Sequence, residues 1–263
     1  MQQVDPPRQR EIAHALSKAR ALLEQCDVRS IPVDLVRLAK RVGIRNVAEL
    51  DTRLDGQLLE LESGGYEVVL SKSAPATRKR FTLAHEIAHL LLFPREAADH
   101  HRRETEELCN LVASELLIPT HFLAKLFPAG QAITIESLLK VPGLFRCSLE
   151  AAGWKILNSG LVSGALMIWK IESSGAGDFL ELSAVPHTWG SQRVLDHGLR
   201  VHSGDWLWEA VMTADKGILH FPSMLKGMYY QGEFVRLRKV ILVFVANELR
   251  ALTEKEVPLP LRS

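Results

Sequence analysis

Phe81 to Phe93 reads FTLAHEIAHLLLF, a run of helix-forming residues that stops at Pro94, which cannot continue a helix. Within it, His85-Glu86-Ile87-Ala88-His89 is an H-E-x-x-H sequence. Residues four apart share one face of a helix, so both imidazoles can approach one ion with Glu86 beside them. The pentapeptide also arises by chance, but the apolar helix around it weighs against that alternative. A catalytic zinc usually takes three protein ligands and keeps a fourth position for water, so this reading requires a third His, Asp or Glu from elsewhere.

A second helical pattern, 104 to 118, closes at Pro119 and is the place to look. Glu106 and Asn110 are four apart and face the same way, whereas Glu107 and Glu115 project at other angles. Glu106 is therefore the expected third ligand, with Glu104, Glu107 and Glu115 as competitors on a helix of a kind commonly studded with glutamate. For Asn110 two readings stand open: a hydrogen bond that orients one of the histidines, or satisfaction of nearby backbone groups. His100 and His101 sit in a charged stretch, 95 to 103, where adjacent rings cannot readily converge on a metal, and they are left out of the site.

Upstream, Ile12, Leu16, Ala19 and Leu23 recur at helical spacing over 9 to 25, and 31 to 42 repeats the pattern. Two short apolar runs, Leu58 to Leu61 and Tyr66 to Leu70, flank Ser63-Gly64-Gly65 and predict a hairpin. The second run is readable equally as an edge strand beside the cleft or as a core strand. Tyr66, Arg78 and Arg80 are the nearest donors in sequence for an oxyanion, although each residue type in such a place is more often a surface or packing residue.

Downstream, 133 to 140 and 148 to 157 predict short helices joined by a turn around Pro142-Gly143, with Ser148 as N-cap, in the manner of a helix-turn-helix. Arg146 and Lys155 are the basic residues around its second helix, too few to predict firm phosphate binding. From Leu161 onward the pattern turns strand-like, at Leu166 to Ile171, Phe179 to Ala184 and Val240 to Val245. All five tryptophans lie after residue 150, which supports a separate α+β domain beginning near residue 160. Trp206 and Trp208 are read there as core or interface residues before a ligand box.

The composition sets limits on function. With 47% hydrophobic and 24% charged residues the 263-residue chain should fold over most of its length, in more than one domain. A net charge of +1 provides no global attraction to nucleic acid, so any DNA contact would be weak and local. No apolar run approaches the ~20 residues that span a bilayer and the first residues are polar, which predicts a cytoplasmic protein without membrane contact. Cys26, Cys109 and Cys147 lack the spacing of a thiolate metal site and are expected as reduced core residues.

The segments 80 to 89 (RFTLAHEIAH) and 106 to 119 (EELCNLVASELLIP) together resemble the ImmA/IrrE-type family of bacterial H-E-x-x-H metallopeptidases, and within it most closely the radiation-response regulators of deinococci. The resemblance implies an α+β chain in three parts: a zincin-like metallopeptidase domain over 1–127, a helix-turn-helix-like segment over 128–159, and a GAF-like sensor domain over 160–263. It implies His85, His89 and Glu106 as metal ligands, since Glu106 stands four residues before Asn110 as in the family's E-x-x-x-N pattern, and Glu86 as catalytic base. Zinc is the implied metal, with manganese or iron as further candidates for a His-His-Glu set. The implied substrate is an XRE-type repressor, cleaved to induce DNA-damage and radiation-response genes; the ligand of the C-terminal domain is left open. The competing expectation is a DNA-binding transcriptional activator with a structural metal, which would show a closed, four-ligand site and tolerate Glu86→Gln.

Overall fold

The computed structural model describes residues 6–94, 103–128, 133–175, 177–184, 198–222 and 228–251. It divides into two compact units: one made of Gln3–Leu126 with Lys140–Lys155, the other of Phe127–Leu139 and Ile156–Ser263 with the first two residues. The stretch from 128 to 159 is thus shared between them. His100 and His101 lie outside the described residues.

The first unit opens with α1 (Pro6–Gln25) and α2 (Leu35–Arg41). The pattern over 31 to 42 becomes helical only at Leu35, because the side chain of Asp34 accepts hydrogen bonds from the backbone N–H groups of Val36 at 3.1 Å and Arg37 at 3.2 Å and so fixes the helix start. There follow β1 (Ile44–Leu50), β2 (Gly56–Glu60) and β3 (Tyr66–Ser71), in the order β1-β3-β2. The β2–β3 hairpin forms as expected, its turn carried by Gly64 and Gly65 at φ of 81° and 82°, which side-chain-bearing residues rarely adopt.

β3 is the central strand, parallel to β1 and antiparallel to β2. Its edge-strand reading is therefore corrected: Val68, Val69, Leu70 and Ser71 are all buried, the pattern of a strand covered on both faces. The strand at the open edge next to α3 is β2.

α3 (Ala76–Leu92) and α4 (Arg103–Leu117) follow and pack on one another. Fully buried small side chains on both, Ala84 and Ala88 on α3 with Cys109 and Ala113 on α4, let the two axes come close. α5 (Thr120–Leu126), α6 (Ile135–Phe145) and α7 (Leu149–Asn158) come next. The turn expected at Pro142-Gly143 is not there. α6 runs through both residues, because burial of Val141 and Phe145, each 0% exposed, outweighs one lost backbone donor. The chain turns instead at Arg146, at φ 51°. Ser148 acts as the expected cap, its Oγ accepting from Ala151 N at 3.1 Å.

Glu115, on the last turn of α4, is 1% exposed. Its carboxylate accepts from Thr120 N at 3.2 Å and Thr120 Oγ1 at 2.6 Å at the start of α5, ion-pairs with Lys155 of α7, and lies 3.5 Å from Arg20 Nε of α1. One side chain thus ties four helices. Burial alone pushes the Glu115 carboxyl up, but Lys155 and the two Thr120 bonds together hold it below its ordinary value.

The second unit is built on a six-stranded antiparallel sheet in the order β6-β5-β4-β9-β8-β7, from β4 (Gly164–Ser174), β5 (Gly177–Ala184), β6 (Arg200–His202), β7 (Lys216–Pro222), β8 (Met228–Leu237) and β9 (Val240–Ala251). α8 (Trp206–Met212) packs Leu207 and Val211 into the same core as Trp169, Leu180 and Val243. Trp206 and Trp208 pack against that core partly buried, as structural residues. The three cysteines are buried and free, as expected of reduced core residues. Among the described residues no helix is long and apolar enough to cross a membrane.

Candidate metal centre

α3 places His85 and His89 on one face, one helical turn apart, with Nε2 atoms 3.0 Å from each other. α4 delivers Glu106 against them: Oε2 stands 3.1 Å from His85 Nε2, and Oε1 stands 3.4 Å from His89 Nε2. Among the described side chains, Glu106 is the glutamate brought to the histidines. Glu107 points away to an ion pair with Arg8, and Glu115 is held in its buried knot.

Donor atoms held at about 2.0–2.2 Å around a tetrahedral ion stand about 3.3 Å from one another. The two Nε2 atoms stand 3.0 Å apart and each has a different oxygen of the Glu106 carboxylate beside it, at 3.1 and 3.4 Å, separations of that order, and two imidazole nitrogens with a carboxylate are a donor set that suits zinc. These residues could hold a metal ion. Burial holds the pKa of His85 below its ordinary value, against the opposing pull of Glu106, so the ring favours the neutral form in which imidazole acts as a ligand. Asn110 lies close enough to His85 to favour its charged form, after Glu106, and both readings of Asn110 stay open. Among the described residues Nδ1 of that ring is buried with no hydrogen-bond partner, so the contact with Asn110 is not made through Nδ1.

Glu86 shares the helix face but stays out of the cluster. Burial, and then the charge of Glu106, push its carboxyl up to about 7, where a carboxylate both accepts and returns a proton readily near neutral pH. Substituting Glu106 by Gln or His89 by Ala should cut bound metal at least about tenfold, read by elemental analysis after dialysis. Full retention of metal by both variants would place the ligands elsewhere.

The three residues weighed as oxyanion donors have other partners, as their surface or packing reading expects. Arg78 binds Asp55 Oδ2 through Nε at 2.9 Å and Nη2 at 2.7 Å, Arg80 donates to Val33 O at 3.0 Å, and the Tyr66 hydroxyl reaches Pro94 O at 3.5 Å. Spacing arguments miss Gly56 altogether. Its α-carbon lies so close to α3 that a Cβ there would meet Thr82 Cγ2 at 2.1 Å and Glu86 Oε1 at 3.6 Å. Its trace in the sequence is a glycine two residues before the apolar pair Leu58-Leu59.

Fold and site together define an α+β domain with an H-E-x-x-H helix and a glutamate ligand on the following helix, the arrangement of a metallopeptidase centre. Residues 39–156 match the peptidase-family model described as "IrrE N-terminal-like domain", which supports the ImmA/IrrE family for the domain that carries the site. Among curated protein sequences none matches this chain. Among solved structures, a Mycobacterium tuberculosis transcriptional regulator is similar in fold, with a TM-score of 0.51 at 14% identity, over 88% of this chain and 75% of that one.

Proposed function

We propose that this chain is a zinc-dependent, site-specific endopeptidase that cleaves an XRE-type transcriptional repressor and thereby induces a DNA-damage or radiation response, after the manner of the deinococcal IrrE/PprI regulators. The observation that carries the reading is the convergence of His85, His89 and Glu106, with Glu86 beside them and outside that donor set. The family match over the same residues supports it, and the transcriptional role named for the similar mycobacterial structure agrees with a regulatory outcome.

His85, His89 and Glu106 would hold the ion, which when bound lowers the pKa of water and polarises the peptide carbonyl. Glu86 takes the proton of the attacking water and hands it to the leaving amine nitrogen. β2 presents an open edge beside Glu86, where an extended substrate segment would pair through backbone hydrogen bonds. Manganese or iron would suit the same donors where available. For the second unit a GAF-like sensor is the favoured reading, supported by its six-stranded antiparallel sheet with an intervening helix.

The rival reading, a DNA-binding activator with a structural metal, predicts a fourth protein ligand; among the described residues the cluster has three. The test is to incubate the zinc-loaded protein with a co-expressed XRE-type repressor and follow the repressor by intact mass. Two fragments whose masses sum to the repressor plus one water, abolished by a chelator, are expected. An intact repressor under zinc, manganese and iron, with DNA binding retained, would favour the activator.

A further inference from the structure

We propose that Gly56 is a positioning residue for this reaction: by lacking a side chain it seats the edge strand β2 directly on the catalytic helix α3, against Thr82, and so sets the place of the Glu86 carboxylate. The proposal rests on the metallopeptidase reading.

Arg78, Thr82 and Glu86 are spaced four apart and form one stripe along α3. β2 is tied to this stripe at two successive residues. Asp55, just before the strand, holds Arg78 through Nε and Nη2, and Gly56, its first residue, lies on Thr82. On the other side Gly56 pairs with Leu70 of β3, so the strand cannot slide away from the helix without breaking the sheet.

A Cβ at position 56 would stand 2.1 Å from Thr82 Cγ2, far inside contact distance, while its next neighbours, Glu86 Oε1 and Leu70 Cδ2, lie at 3.6 Å, which is ordinary contact. Thr82 is 8% exposed, and in a helix its β-branched side chain divides between two χ1 rotamers, so rotation offers one alternative place for the methyl group and burial limits it. A methyl group at 56 therefore forces β2 outward or turns Thr82 and its stripe neighbour Glu86. The metal ligands do not figure among the atoms it would meet. An error of about 1 Å in the placement of a reacting group costs on the order of a hundredfold in rate.

A single atom, Thr82 Cγ2, carries the clash, and serine lacks that atom. The test is a cycle of Gly56→Ala, Thr82→Ser and the double variant, with Gly56→Ala/Thr82→Val as a control that keeps the offending methyl. kcat, KM, zinc content and melting temperature are read for each on the full-length zinc-loaded chain. Gly56→Ala should lower kcat about tenfold to a hundredfold with KM changed less than about threefold and zinc content unchanged. The double variant with serine should recover kcat and melting temperature to those of Thr82→Ser, and the valine control should recover neither.

Wild-type kcat and melting temperature in Gly56→Ala would overturn the proposal, as would a loss of kcat that Thr82→Ser does not rescue. Should Gly56→Ala alone fail to fold, the serine double, which relieves the clash, still compares directly with the valine control. If the wild type cleaves no substrate, the metallopeptidase reading fails by itself, while the melting-temperature cycle still decides whether Gly56 seats β2 on Thr82.

Discussion

Glu86→Gln should abolish cleavage of the repressor while leaving zinc content at the wild-type level. Glutamine keeps the shape and removes the ability to accept and return a proton. Glu86 stands outside the set of donors that converge at 3.0–3.4 Å, so the ion is held as before. General base and acid catalysis by one side chain contributes about 10²–10⁴ in rate, and the carboxyl is suited to it by burial and by Glu106, which push it up to about 7. Single-turnover cleavage followed by intact mass, with elemental analysis of the same samples, checks both halves. A variant that keeps zinc and still cleaves at the wild-type rate would remove Glu86 from the chemistry.

Glu115→Ala should destabilise the first unit by about 3–5 kcal/mol, as expected when one partner of a buried ion pair is deleted and the other is left behind. Here the survivor is Lys155, 6% exposed, and Thr120 N at the start of α5 loses its acceptor as well. Replacing both members, Glu115→Met with Lys155→Met, should recover most of the loss because no buried charge is stranded. The shift in urea midpoint measures each step; a Glu115→Ala change below about 1 kcal/mol would show that water reaches the pair.

The same group sets a pH dependence. In the folded chain the Glu115 carboxyl is held below its ordinary value, so its stabilisation is fully present above the unfolded-state pKa of about 4.3 and is lost as pH falls through the folded value. The wild type should therefore weaken in acid more steeply than Glu115→Gln, whose side chain does not titrate.

The sequence reveals part of this site for a simple reason. His85, Glu86 and His89 are local, and helical spacing converts their order into a shared face. Glu106 and Asn110 required a second helix and a pattern shared with a known family, since spacing favours Glu106 through its partner Asn110 but does not exclude the other glutamates of that helix. The β2–β3 hairpin was legible from Gly64-Gly65. β1 was not, because Arg45, Asn46 and Glu49 hide the strand period, and without β1 the central place of β3 could not be seen. The persistence of α6 through Pro142 and the role of Gly56 depend on what packs against them, which no local pattern records. Glu115 reads as a competing ligand and Lys155 as a basic residue of the helix-turn-helix, and neither as half of a buried pair, because their pairing spans 40 residues of chain.

The burial of Lys155 has a consequence in the ionic atmosphere of nucleic acid. Each phosphate neutralised by a protein cation releases counterions and adds about 0.9 to the dependence of log K on log salt. Around α7 the cations are Arg146, which is exposed, and Lys155, whose ammonium is turned inward against Glu115. This helix therefore contributes little to any counterion release, and a steep salt dependence measured for the whole chain would have to arise on another surface.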